Sequence, residues 1–175
     1  MRRRDLLIGA GSLAALGGGA AVAFDVVGSN DGNGVAPVEL EAIEAPGSDA
    51  GTVTVPEPGR VTFLELFATW CNVCESMMPE LAAAHGSAGD DVQFLSVTNE
   101  PLGNTITRED VTAWWREHEG SWTVAADGDL ELSRRLDASG VPYAFVFDSR
   151  NRITWRHRGR TSAGTIRSEI RAAEG

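Results

Sequence analysis

The chain has 175 residues, 42% of them apolar, enough for one well-buried domain plus a tail. Its net charge is −10, and all fifteen bases are Arg, with no Lys anywhere. That acidity argues against nucleic acid and anionic membrane as partners. Together with the missing Lys it fits a halophile, with GC-rich codon use as the plainer source of the same skew.

Residues 1–23 read as an export segment. Arg2-Arg3-Arg4-Asp5-Leu6-Leu7 is a charged start, Ile8 to Ala23 a Gly/Ala-rich apolar stretch, and Ala21-Val22-Ala23 a small-residue cleavage site. The paired arginines resemble the twin-arginine signal of proteins exported already folded. No cysteine follows the apolar stretch, which excludes a lipid anchor there, and the segment is either a cleaved signal peptide or an N-terminal anchor. Residues 24–36, with Gly28-Ser29-Asn30-Asp31-Gly32-Asn33-Gly34, form a flexible linker to a domain at residues 37–175.

Within the domain, Val38 to Ile43 alternates as a half-buried strand, and Thr52 to Val55 can pair with it. Val61 to Phe67 is a nearly continuous apolar run, the pattern of a central strand covered on both faces. From Asn72 to His85 the residues Met78, Leu81, Ala82 and His85 define one helical face. Val92 to Val97 is the next strand. Thr107, with Asp110 three residues on, starts a helix whose inner face is Val111, Trp114, Trp115 and His118. Ser121 to Ala126 predicts a short strand and Leu130 to Leu136 a short helix. Tyr143 to Phe147 and Ile153 to His157 form a hairpin turned at Asp148-Ser149-Arg150-Asn151, and a last helix starts at Thr161. The order predicts an α/β fold with a central mixed sheet flanked by helices.

The only two cysteines stand in Trp70-Cys71-Asn72-Val73-Cys74, where the central strand passes into a helix. Two thiols so spaced can carry redox chemistry, supply half of a metal site, or staple a turn. Export permits a staple, but so small a loop gains little from closure. A metal would need His85, His118 or His157 to complete a tetrahedral set, and no His pair has ligand spacing.

Glu65 shares strand parity with Val61, Phe63 and Phe67, so its side chain faces the core. Burial there raises a carboxyl's pKa and suits proton transfer, the alternative being a solvent-facing Glu at a strand edge.

Phe67-Ala68-Thr69-Trp70-Cys71-Asn72-Val73-Cys74, Pro79 eight residues past Cys71, and Gly140-Val141-Pro142-Tyr143 resemble the matching motifs of thioredoxin-fold thiol–disulfide oxidoreductases. The helix and strand inserted between about Asn99 and Asp127 are similar to the exported TlpA/ResA-like branch. Over residues 37–174 the resemblance implies a thioredoxin-like fold with an extra helix–strand insert. It also implies a protein disulfide reductase with Cys71 as nucleophile and Cys74 as resolving thiol. A helix start favours the Cys71 thiolate, which agrees with that assignment.

The same resemblance places Glu65, six residues before Cys71, where thioredoxins keep a proton-shuttling acid; many TlpA-like proteins are not acidic there. It makes Trp70, Val141 and a cis Pro142 the substrate-binding rim, and Asn72 and Val73 the pair that tunes redox potential. The cofactor implied is none beyond a redox-active Cys71–Cys74 disulfide. The partners are extracytoplasmic protein thiols and disulfides, apocytochrome c among them, and a membrane thiol electron carrier, with the chain a monomer at the outer face of the membrane or secreted. Asn72-Val73 lacks the proline common there and the histidine of strong oxidants, which favours a reductase over a disulfide-forming oxidase. A non-catalytic thioredoxin-like binding module is the alternative of another class.

Overall fold

The computed structural model describes residues 34–103 and 105–175. The expected export segment and most of the expected linker lie outside the described residues. Eleven elements follow in order: β1 (Val38–Ala42), β2 (Gly51–Val55), β3 (Val61–Phe67), α1 (Asn72–His85), β4 (Val92–Thr98), α2 (Arg108–Glu117), β5 (Thr123–Ala126), α3 (Glu131–Arg135), β6 (Tyr143–Phe147), β7 (Ile153–Arg158) and α4 (Ala163–Glu174). They build one seven-stranded sheet ordered β2-β1-β5-β4-β3-β6-β7. The β3, β4 and β5 strands are parallel, and the remaining pairings are antiparallel. The sheet is therefore mixed, as the βα order and terminal hairpin require.

Every residue of β3 and β4 is buried, because helices cover both faces. Alternation divides the apolar residues between two cores. Val61, Phe63 and Phe67 pack with residues of α1, α2 and α4, whereas Leu64 and Leu66 pack with Leu132 and Leu136 around α3. The predicted insert is α2 with β5. Its strand lies between β4 and β1, so the N-terminal hairpin joins the sheet through it. Val35 is already packed, its N–H bonded to the Asn151 carbonyl at 2.7 Å.

Several local signals shift by a residue or two. On α1 the buried residues are Cys74, Met77, Met78, Leu81 and Ala84, with Ala82 and His85 half-buried. The same i, i+3, i+4, i+7 stripe thus starts four residues earlier than predicted, because Cys74 itself faces the core. On α2, Val111 and Trp115 are buried while Trp114 and His118 are half-buried. Thr107 and Asp110 form a full capping box. The last helix is capped by Ser162 rather than begun at Thr161, since Ser162 Oγ accepts the Thr165 N–H at 3.1 Å.

The hairpin turn is held by Asp148, whose carboxylate accepts the N–H groups of Arg150 and Arg152 and pairs with the Arg152 guanidinium at 2.6 Å. Asn151 takes the left-handed conformation there, with φ 59°. Seven of the fifteen arginines fall between Arg150 and Arg171, a stretch with one acid, Glu169. The edge strand β7 carries Arg156 and Arg158 exposed.

Candidate active site

Parallel strands bring chemistry to their C-terminal ends, and β3 delivers the cysteines there through Ala68-Thr69-Trp70. Cys71 and Cys74 are joined by a disulfide with Cα atoms 5.2 Å apart. Cys71 is the N-cap of α1: its backbone is extended, and its Sγ accepts the Cys74 N–H at 3.1 Å. The sulfur thus takes the place of the hydroxyl or carboxylate that usually satisfies the first-turn N–H. Cys71 is 6% exposed and Cys74 0%, so the N-terminal cysteine is the more accessible of the pair. Trp70 at 69% and Val73 at 43% are the large apolar side chains that stand out beside them, and Asn72 is exposed as well.

The β6 strand runs antiparallel to β3, so its start reaches the same end of the sheet, with Tyr143 opposite Leu66. The Val141–Pro142 peptide bond is cis, as the resemblance implies. Pro142 is buried, and Val141 is half-buried against the cluster that contains both cysteines. Gly140 precedes them at φ 91°, and a Cβ there would stand 2.8 Å from Arg158 Nη2. Only glycine meets both demands.

Glu65 is fully buried, on the sheet face its parity predicts. It lies opposite Ser96 on β4 and Ala144 on β6. Burial pushes its carboxyl up from 4.5 to about 7, opposed by one hydrogen bond from Ser96. At neutral pH it is therefore balanced between acid and base, the condition proton exchange needs.

Sequence reasoning missed Glu100, two residues past β4. Its buried carboxylate accepts the Thr69 N–H at 2.7 Å, Thr69 Oγ1 at 2.9 Å and Thr98 Oγ1 at 3.0 Å. It ties the segment entering Trp70-Cys71 to the end of the neighbouring strand. The available signal was its place just after a strand that runs parallel to β3. The three histidines pack on different aromatics: His85 tilted against Phe94 and Trp122, His118 tilted against Trp114, and His157 stacked on Trp155. Among the described residues no three His, Cys, Asp or Glu side chains cluster as a metal site.

A C-x-x-C disulfide at a helix start, at the same end of a mixed sheet as a cis proline, defines a thioredoxin-like redox protein. The redoxin family matches residues 35–173, and the chain belongs to that family. With its cysteine pair it is a thiol–disulfide oxidoreductase.

Solved structures of similar fold include StoA from Bacillus subtilis, at 17% identity and TM-score 0.65, covering 77% of this chain and 96% of that one. A protein described as a thiol:disulfide interchange protein, DsbE, from Chlorobium tepidum has 22% identity and TM-score 0.67, covering 82% and 97%. The exposed lipoprotein thioredoxin of Streptococcus pneumoniae strain TIGR4 has 21% identity and TM-score 0.64, covering 78% and 99%. No curated protein matches the sequence.

Proposed function

We propose that the chain is an exported protein disulfide reductase with Cys71 as nucleophile, Cys74 as resolving thiol and Glu65 as proton acceptor. The observation that carries this reading is Cys71 at the α1 N-cap, its sulfur bonded to the Cys74 N–H and closer to solvent than Cys74. A helix N-terminus favours negative charge on that sulfur.

In the reduced form the Cys71 thiolate attacks a substrate disulfide, forming a mixed disulfide and releasing one substrate sulfur as a thiolate. Cys74 gives its proton to Glu65, and its thiolate attacks the Cys71 sulfur. The Cys71–Cys74 bond forms, the bond to substrate breaks, and the second substrate thiolate leaves. Two electrons pass to the substrate, and a membrane thiol carrier restores them. Trp70, Val141 and Pro142 form the rim against which an extended substrate segment lies. The twin-arginine-like residues 1–23 support export, as does the likeness to a protein named as an exposed lipoprotein. Apocytochrome c is a substrate of the right chemistry.

The alternative direction, a disulfide-forming oxidase, draws on one contact. Arg160 Nη2 donates to Ser76 Oγ at 2.6 Å, and Ser76 Oγ donates to the Val73 carbonyl at 2.7 Å. This brings a cation to the peptide between the cysteines, where it stabilises the thiolate form. The standard reduction potential, followed by Trp70 fluorescence, decides. A value near or below roughly −250 mV supports the reductase, and one above about −150 mV overturns it in favour of the oxidase.

A further inference from the structure

Glu65, Ser96 and Trp122 come from distant parts of the chain and meet, fully buried, in the core that holds the disulfide. The Trp122 indole N–H donates to Ser96 Oγ at 3.0 Å, and the Ser96 hydroxyl donates to Glu65 Oε2 at 2.9 Å. The order of donation is forced at one end, because an indole N–H donates and never accepts. If Glu65 carried its proton on Oε2 and donated to Ser96, the serine hydrogen would lose the acceptor it has here. A buried polar hydrogen left without a partner is disfavoured enough to decide the matter. The other carboxylate oxygen, Oε1, is buried and has no hydrogen-bond partner among the described residues.

We propose that Trp122 and Ser96 are positioning residues that hold Glu65 Oε2 as a permanent acceptor, so that the acid takes up and releases its proton at Oε1 alone. The inference rests on the reading of Glu65 as the group that exchanges a proton with Cys74, and it adds the oxygen that does so and the residues that select it. Trp122 lies immediately before β5, so the inserted strand of the fold serves the active-site acid.

Few other ionisable groups occupy this side of the sheet. From α1 come Cys71, Cys74 and His85, whose ring packs on Trp122 at 5.6 Å, and past β4 comes the buried Glu100, whose carboxylate is bonded to Thr98 and Thr69. The facing residue of β6 is Ala144. The charged side chains of α2 and α4 are exposed or half-buried, and none bonds to Glu65. The hydroxyl of Ser96 is therefore the principal polar influence on the buried carboxyl.

The test follows the Glu65 carboxyl by carbon NMR across pH in the disulfide form, where neither cysteine titrates. Ser96→Ala removes a donor to the charged form and should raise the titration midpoint by about one pH unit. Ser96→Thr keeps the hydroxyl and should restore the midpoint. Trp122→Phe keeps most of the ring packing but removes the N–H that polarises the Ser96 hydroxyl, which weakens its bond to Oε2 and should raise the midpoint as well. An unchanged midpoint in Ser96→Ala or Trp122→Phe, or an equal rise in Ser96→Thr, overturns the proposal. Failure of the underlying reading looks different: Glu65→Gln would leave Cys74-dependent turnover intact while the midpoint shifts persisted.

Discussion

Burial raises the Glu65 carboxyl from 4.5 to about 7, so between those values the folded chain holds a proton that the unfolded chain has released. More protons on the folded side mean that stability falls as pH rises through this window. The total loss is about 3 kcal/mol. Glu65→Gln should therefore flatten the decline in urea midpoint between about pH 5 and pH 8 and leave the variant more stable at the upper end. A decline of the same size in the variant would place its source elsewhere. The acid was legible from strand parity alone, because period-two alternation puts Glu65 beside Phe63 and Phe67 on a covered sheet. Its neighbours were not legible, since Ser96 and Trp122 reach it through strand register and the packing of an inserted segment, which no local pattern encodes.

At the scale of elements, the loop from β3 into α1 is held from the side by Glu100 rather than by its own sequence. Three donors converge on that carboxylate, two of them from Thr69. Glu100→Gln presents one acceptor oxygen and one amide nitrogen to the same donors, so one of them is left facing an N–H. The expected loss is about 1–3 kcal/mol of stability in a denaturant titration. Faster alkylation of reduced Cys71 should accompany it as the segment loosens. Unchanged stability and alkylation would show that the loop is held without Glu100. The elements themselves were legible in order and type from apolar periodicity and capping residues. The α1 stripe was read four residues late because Cys74 was weighed as chemistry and not as a core residue.

At the scale of the whole molecule, β2 and β7 are the two edges of the sheet among the described residues. Each presents backbone groups that a further strand could pair with, and net repulsion at −10 is a general protection against that. The β7 edge has a specific one: Arg156 and Arg158 are exposed along it, and its register with β6 is broken by an irregularity at Val146/Phe147. Replacing both arginines with Val should produce concentration-dependent association in sedimentation velocity, scored separately from turnover because Arg158 lies opposite Tyr143 beside the cis proline. A variant that associates no more than the parent chain at high concentration would show that the strand's irregularity alone suffices. The arginine-rich tail thus has an architectural meaning as well as an electrostatic one. In a chain otherwise dominated by acids, the positive charge is concentrated where the sheet would grow, so the molecule's size is limited by the same residues that border its redox site.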